Sequence, residues 1–463
     1  MVVLDATIVN VALPAMRRGL DLSTSDLQWV VNAYLLTLGG LILLGGRLGD
    51  HFGRKRVYLI GGLIFSAASL AGGVAPDGGW LLGARAVQGV GAALLAPGTL
   101  SLLTSAYTEP RARTRALAVW GISSASGGAL GVLLGGALTD VLGWRSVLFV
   151  NVPLGVLVLV LGGIALPRSA GAQRHSRLDV PGALSVTAAL TALVYGVVGT
   201  ESHPWGSTHT LVVLATAAAL FVTAGVIESR ASNALIPFAV LRRGAVATAT
   251  TMMLIHGAVV TATIYFQSLY LQQVRGFSPF DTGLLMTPLV MVAVATPLFT
   301  ASLIARHGPR LVAIAALIVE IGGIVWLSFW GTHGAILTSL VLPSMLFNLG
   351  GSVCFLSMTV LLTSDMEGQH SGLGSGLFNA GRQVGGSIGL AALTVVAATH
   401  TRSLLRGSGG ALALADARGY GLALRVGAAL LAVGALVIAA HARHRRVRAA
   451  AAGDADSRPV EFA

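Results

Sequence analysis

Charged residues are scarce in this chain. Only 10% of its 463 residues are Asp, Glu, Lys or Arg, against about 25% in an ordinary soluble domain. Hydrophobic residues make up 54%, so a soluble protein of this length would lack the charge to cover its surface. The same abundance of apolar side chains excludes intrinsic disorder. The composition therefore predicts an all-α integral membrane protein.

Cysteine, lysine and the common enzyme motifs are also nearly absent. Cys354 is the single cysteine, which excludes a secreted disulfide scaffold. The net charge of +12 comes from arginines and one lysine that stand between long apolar runs, so we do not expect nucleic-acid binding. The sequence has no metal-ligand spacing, no G-x-S-x-G and no phosphate loop. We therefore expect no enzyme, no metal and no cofactor, and a proton or other ion gradient as the energy source.

Long apolar runs dominate what is present. A helix needs about 20 apolar residues to cross about 30 Å of hydrocarbon. Thirteen segments meet this requirement, at about 28–48, 56–75, 79–106, 114–139, 146–166, 180–199, 210–228, 245–271, 282–304, 311–330, 335–363, 371–398 and 421–441. The segment from Val2 to Leu13 is apolar but short, and we interpret it as part of a first helix whose beginning is absent. This interpretation predicts fourteen spans in a lipid bilayer, the first of them truncated.

The basic residues predict the orientation. With both termini in the cytoplasm, nineteen basic residues fall in inner loops and seven in outer loops, as the positive-inside rule requires. One predicted inner loop, 364–370, has no basic residue. The distribution favours a multi-pass protein of the cytoplasmic membrane with both termini inside.

A short internal repeat divides the chain. The loop after the second span, around Gly53, and the loop after the tenth span, around Gly308, share a pattern of Leu, Gly and basic residues. Both would join the second and third helices of a six-helix unit. We expect a six-helix bundle at 1–166, two inserted helices at 167–243, a second six-helix bundle at 244–441 and a disordered cytoplasmic tail at 442–463.

Several motifs point to one family. They are Leu4–Pro14, Gly46–Arg56, Arg85 to Gly91 with Gln88 and Gly89, Gly127–Gly136, and Gly376–Gly389 with Asn379, Arg382 and Gln383. The sequence resembles the major facilitator superfamily, in particular its fourteen-helix drug:proton antiporter family. This resemblance implies a monomeric bacterial carrier that exports drugs or antibiotics in exchange for protons by alternating access. Val132 departs from the motif, which has a proline there that would bend the helix.

Other functions remain open at this stage. The chain could be an uptake carrier or facilitator for a metabolite on the same fold. More remotely, it could be a membrane receptor or regulator that has lost transport. The charged residues inside the spans favour a transporter.

Charged residues inside the spans are candidates for proton coupling, because charge at membrane depth is costly and is functional by default. We expect Asp5 to carry the proton and Arg85 to tune it, with a static ion pair as the alternative. Glu320 is either a second proton or cation site or the partner of a polar neighbour, and Arg382 is a speculative partner. His256 could titrate near neutral pH, although a lone histidine more often only satisfies hydrogen bonds.

The remaining candidates are a loop, a glycine stripe and a set of polar side chains. Asp50, Arg54 and Lys55 resemble a cytoplasmic gate, the alternative being charges that only set topology. Gly127, Gly131, Gly135 and Gly136 would let another helix approach closely. Aromatic and amide residues inside spans suit a pocket for amphipathic drugs, with ordinary packing as the alternative: Tyr34, Gln88, Tyr265, Gln267, Asn348, Asn379 and Arg382.

Overall fold

The computed structural model describes residues 1–106, 109–166, 179–200, 203–230, 244–364, 371–408 and 412–456, which form helices and no β-strand. The helices before residue 231 are α1 (Val2–Leu20), α2 (Thr24–Phe52), α3 (Arg54–Gly73), α4 (Gly78–Ala106), α5 (Pro110–Leu142), α6 (Ser146–Phe149), α7 (Asn151–Ala165), α8 (Val180–Gly199) and α9 (Thr208–Arg230). The later ones are α10 (Gly244–Leu269), α11 (Pro279–Ala295), α12 (Pro297–His307), α13 (Pro309–Leu327), α14 (Leu342–Ser364), α15 (Ser371–Ser408) and α16 (Leu412–Asp456). Short π-helical turns at Tyr270–Val274 and Leu337–Val341 flank α10 and α14.

The helices confirm an all-helical membrane protein. Within the described residues, eleven helices are long and apolar enough to cross a membrane, or twelve if α11 and α12, bent by 42°, form one span. α1 does not meet this criterion because it carries Asp5, Arg17 and Arg18. The part of α5 that was compared with this criterion, Ser126–Leu142, is apolar but shorter than a span. The count of fourteen spans therefore stays a prediction.

Two helices extend beyond their predicted ends. α1 continues past Leu13 to Leu20, through Pro14. The proline cannot donate a hydrogen bond to the carbonyl four residues earlier, and the hydroxyl of Ser268 donates to that carbonyl, of Asn10, at 2.8 Å. α16 continues to Asp456, where we expected a disordered tail. Its alanines favour helix.

The two loops of the internal repeat have similar backbone conformations at their aligned glycines. Gly53 lies between α2 and α3 with φ 95° and ψ 124°, and Gly308 lies between α12 and α13 with φ 78° and ψ 154°. Backbone with positive φ strongly favours glycine. The two aligned glycines therefore make the same turn at corresponding places.

We refer to α1–α7 as the first helix group and to α10–α16 as the second. The predicted boundaries near 167 and 243 lie at the edges of segments outside the described residues. Between the groups, α8 packs on α2 and α15 through a small core of Leu36, Leu190, Val194, Val198 and Ala391. The inserted helix therefore contacts both groups.

Candidate functional site

Asp5 lies in the interior of the first helix group and is completely buried. Its oxygen Oδ2 accepts a hydrogen bond from Arg85 Nη1 at 2.6 Å. Its oxygen Oδ1 accepts one from Gln88 Nε2 and one from Asn151 Nδ2, both at 2.8 Å. α1 supplies the carboxylate, while α4 and α7 supply the donors, so the pair predicted from the sequence is formed and holds three helices together.

Arg85 is equally enclosed, with 2% of its surface exposed. Its Nε donates to the carbonyl of Val30 at 3.0 Å, and its Nη1 donates to Gln88 Oε1 at 2.8 Å. Its guanidinium lies 4.4 Å from the centre of the Tyr34 ring, an attractive cation–π arrangement. The charge that the membrane disfavours is thus held by an acid, a carbonyl, an amide and an aromatic face.

Two members of this network were missed by the sequence analysis. Ser69 on α3 accepts hydrogen bonds from Gln88 Nε2 at 3.2 Å and Asn151 Nδ2 at 3.1 Å, and donates to the carbonyl of Leu148 at 2.8 Å. Both Ser69 and Asn151 are fully buried. Asn151 stands alone beside the apolar run of α7, and this isolated polar residue could have indicated a buried hydrogen bond.

The glycines of α5 receive neighbouring helices. A Cβ atom on Gly131 would lie 2.7 Å from the carbonyl oxygen of Leu4, and one on Gly135 would lie 2.8 Å from that of Ile8. α1 therefore packs directly on these two glycines. A Cβ atom on Gly136 would lie 3.0 Å from Cα of Phe280, so this glycine receives a helix of the second group.

Two further positions of the α5 motif behave differently. Gly127 has only ordinary contacts, since its nearest neighbour would be 3.8 Å away. α5 runs unbroken through Val132, where the family motif has proline.

The charged loop after α2 forms local contacts. Asp50 at the end of α2 accepts a hydrogen bond at 3.1 Å from Nε of Arg54 at the start of α3, and both side chains are partly exposed. Lys55 donates to the carbonyls of Gly163 and Leu166 at 2.8 and 2.6 Å. Free carbonyls at a helix end attract cations, so Lys55 ties this loop to the end of α7.

The predicted drug-binding residues are spread over several places. Tyr34 and Gln88 belong to the Asp5 network. Tyr265 is buried beside Phe266, and Asn379 is half-buried on α15.

The remaining three of these residues lie on the second group. Gln267 donates to Ser344 Oγ at 2.8 Å, while Asn348 donates to the carbonyl of the same serine at 2.9 Å. The guanidinium of Arg382 lies 5.9 Å from the centre of the Phe355 ring. Gln267 and Asn348 thus form interhelical and intrahelical bonds of the kind that packing alone explains.

Glu320 is not paired with Arg382 within the described residues. Its oxygen Oε1 lies 3.0 Å from Nδ1 of His256, and both side chains are buried. The histidine that the sequence presented as an isolated residue is therefore the partner of this carboxylate.

Among the described residues, four side-chain hydrogen bonds join the two helix groups. They lie on the side of the molecule where α1 turns into α2. The hydroxyls of Ser387 and Thr394 on α15 donate to the side-chain oxygens of Asn32 and Gln28 on α2, at 2.9 and 2.7 Å. Ser268 and Gln272 donate to the carbonyls of Asn10 and Val11 on α1, each at 2.8 Å. In the orientation that we predict from the basic residues, this end of the molecule would face outward.

The first group of apolar helices buries an Asp–Arg ion pair, and the second buries a His–Glu pair. The groups meet where α1, α2 and α5 contact α10, α11 and α15. This arrangement defines a polytopic membrane carrier. The family model for the Major Facilitator Superfamily matches residues 1–390. The chain belongs to this superfamily, which makes it a transporter and not an enzyme.

Known relatives resemble the chain over most of its length. It is 37% identical over 412 residues to the puromycin resistance protein pur8 of Streptomyces alboniger, covering 88% of this chain and 82% of that protein. It is 39% identical over 405 residues to the cephamycin export protein CmcT of Amycolatopsis lactamdurans, covering 87% and 83%.

A solved structure has the same fold. The bacterial homologue of the human lysosomal transporter Spinster, in an inward-facing and occupied conformation, superposes with a TM-score of 0.64 at 17% identity, covering 95% of this chain and 94% of that one. At this identity the likeness concerns the fold alone.

Proposed function

We propose that the protein exports amphipathic antibiotics across the bacterial cytoplasmic membrane in exchange for protons, by alternating access. The names of its relatives support the substrate class, since both a puromycin resistance protein and a cephamycin export protein resemble it over more than four fifths of the chain. The observation that carries the proton coupling is the buried Asp5–Arg85 pair.

Protonation of Asp5 would change the packing of the first helix group. The carboxylate accepts three hydrogen bonds, one of them from a guanidinium. A proton on Asp5 removes the charge that holds Arg85, and a buried cation without its partner is strongly unfavourable. Arg85 must then find another partner, and because it lies on α4 and Asp5 on α1, the two helices move relative to each other.

The contacts between the two helix groups would link the movement of α1 to the opening and closing of the carrier. The four hydrogen bonds near the α1–α2 turn hold the groups together at the predicted outer end. α1 carries both Asp5 and two of the accepting carbonyls. A shift of α1 on protonation therefore acts on this end, which opens when the drug leaves and closes when the carrier returns.

The export function is tested by drug susceptibility. An efflux-deficient bacterial host expresses the full chain, its Asp5→Asn variant or, as a matched control, a variant of the exposed Asp140, Asp140→Asn. We expect the wild type and Asp140→Asn to raise the inhibitory concentrations of puromycin and other amphipathic antibiotics. Asp5→Asn should leave the host as sensitive as without the transporter. Unchanged sensitivity to every compound with the wild type would argue against antibiotic export.

A further inference from the structure

The second helix group buries a carboxylate that has one partner among the described residues. Glu320 on α13 is completely buried, and His256 on α10 is 6% exposed. Apart from the 3.0 Å contact between His256 Nδ1 and Glu320 Oε1, no described residue donates a hydrogen bond to this carboxylate. Asp5, by contrast, accepts three. An ionised carboxylate with so little compensation is costly to bury.

The internal repeat shows that the fold does not require a charge at this position. Glu320 follows the turn glycine Gly308 by twelve residues, and Phe65 follows Gly53 by twelve. A Cβ atom on Gly91 would lie 2.8 Å from Cα of Phe65, and one on Gly350 would lie 2.8 Å from Cα of Glu320. The two positions therefore pack in the same way against the next helix. The first group fills this position with a phenyl ring, so packing alone does not account for the carboxylate.

A glycine leaves room for the pair. A Cβ atom on Gly351 of α14 would lie 2.9 Å from Cε1 of His256 and 3.2 Å from Oε1 of Glu320. Any side chain at this position would press on both groups. The absence of one allows the imidazole and the carboxylate to meet between α10, α13 and α14.

The other ionisable groups on the surrounding helices do not neutralise Glu320 in the described structure. On α14 the buried thiol of Cys354 lies within electrostatic reach of it. On α15 the guanidinium of Arg382 lies over Phe355. On α16 Arg425 lies over Phe329 and contacts Ser328 Oγ at 3.3 Å. Among the described residues, His256 is therefore the one ionisable side chain in direct contact with the Glu320 carboxyl group.

We propose that His256 and Glu320 together form a second proton-binding site, which takes up and releases one proton between them. Without this proton the site is a neutral imidazole beside a carboxylate, with a net charge of −1. With it the site is neutral, either as imidazolium and carboxylate or as imidazole and carboxylic acid. The proton comes from water and returns to it. As a coupling site, the pair rests on the antiport function proposed above.

The position of His256 links the site to the transport cycle. α10 is the first helix of its group, as α1 is of the other, and Ser268 of α10 bonds to α1. Movement of α10 against α13 would separate His256 from Glu320. Each group would then have one proton site that involves its first helix, Asp5–Arg85 in the first and His256–Glu320 in the second.

Proton titration of the purified full-length protein tests the site without any drug. The protein is acidified through the pH range in which histidine titrates, and the number of protons that it takes up is measured. This number is compared among the wild type, Glu320→Gln, His256→Gln and the double variant. We expect each single variant to take up one proton fewer than the wild type, and the double variant to lose no more than either single one. His333→Gln, which removes one exposed histidine outside the pair, is the matched control.

Two results would overturn the proposal. Curves for Glu320→Gln and His256→Gln that superimpose on the wild type would mean that the pair keeps a fixed charge. A double variant that loses twice as many protons as either single one would mean that the groups titrate independently. Glutamine replaces either side chain with a polar one of similar reach. If gel filtration shows that one single variant does not fold, the comparison of the other single variant with the wild type tests the proposal.

Coupling is tested by proton-driven accumulation of puromycin in membrane vesicles. Across a gradient of one pH unit, each coupled proton raises the attainable accumulation ratio by up to about tenfold. We expect Glu320→Gln and His256→Gln to lower this ratio by about that factor. Wild-type accumulation in both would contradict a coupling role. Failure of the wild type to accumulate puromycin, with the titration result intact, would instead count against the proposed function.

Discussion

At the scale of single residues, the partners of the two buried carboxylates separate their roles. Asp5 is fully hydrogen-bonded by Arg85, Gln88 and Asn151. Within the part of the chain that the structure describes, Glu320 has one partner, the imidazole of His256. The first arrangement stabilises a charged carboxylate through three hydrogen-bond donors. The second leaves the carboxylate with a single histidine contact, on which the proposed second proton site is based.

The shape of the Arg85 side chain leads to a first prediction. Its planar group bonds to Asp5, Gln88 and the carbonyl of Val30 at once, which the point charge of a lysine does not reproduce. We expect Arg85→Lys to lose at least one charge-assisted hydrogen bond, or about 1.5–3 kcal/mol of stability. Thermal unfolding should show a lower midpoint, and drug resistance should fall.

The exposed Arg18 on α1 provides the control for this experiment. Arg18→Lys keeps the charge at a position open to solvent, where such a change has little effect. An Arg85→Lys protein as stable and active as Arg18→Lys would show that only the charge of Arg85 matters.

The sequence was sufficient to single out Asp5, Arg85 and Glu320 as charges inside apolar helices, because such charges are rare there. Their role in proton coupling stays a prediction. The sequence was not sufficient for Ser69, Asn151 or the pairing of His256 with Glu320. Serine, asparagine and histidine are common enough in helices that their role depends on which helices pack together. That packing joins residues more than sixty positions apart, which local patterns do not specify.

At the scale of helices, the contact between α1 and α5 depends on missing side chains. We expect Gly131→Ala to destabilise the protein by about 1–3 kcal/mol, because the added methyl group would lie 2.7 Å from the Leu4 carbonyl oxygen and push α1 away. The displaced helix carries Asp5, so transport should fall as well. The midpoint of thermal unfolding and drug resistance measure the two effects.

Gly163 on α7 is the matched control, since nothing lies within 4 Å of a Cβ atom there. Gly163→Ala should be neutral or stabilise the helix by up to about 1 kcal/mol. Equal effects of the two substitutions would show that the α1–α5 contact tolerates a side chain.

Helix positions were largely predictable from apolar runs, but helix ends and bends were not. The predicted span at 282–304 is two helices with a 42° bend beside Pro297. α1 passes Pro14 because the second helix group supplies a donor to the freed carbonyl of Asn10. Such an end depends on a neighbour that is distant in sequence.

At the scale of the whole molecule, the two helix groups are joined by a few bonds of modest strength. A single hydrogen bond contributes about 1 kcal/mol, so removing the Thr394–Gln28 bond should shift the equilibrium towards opening of that end by about fivefold. We expect Thr394→Val to lengthen the distance distribution between spin labels at Arg18 and His333, which are exposed on opposite groups. The labels are introduced as cysteines in a Cys354→Ser background.

Thr287→Val is the control, since Thr287 bonds only within its own helix among the described residues, at 2.8 Å to the carbonyl of Gly283. Its distance distribution should match that of the parent protein. Identical distributions for Thr394→Val and Thr287→Val would show that these bonds do not hold the groups together.

The central claim is that the proton carried by Asp5 drives export, and transport by Asp5→Asn in proteoliposomes tests it most directly. Asp5→Asn/Arg85→Gln, which leaves no unpaired charge, serves as a second variant. Both should exchange puromycin across the membrane without a gradient, yet neither should accumulate it when a proton gradient is applied. Accumulation by either variant to the wild-type level would contradict the account.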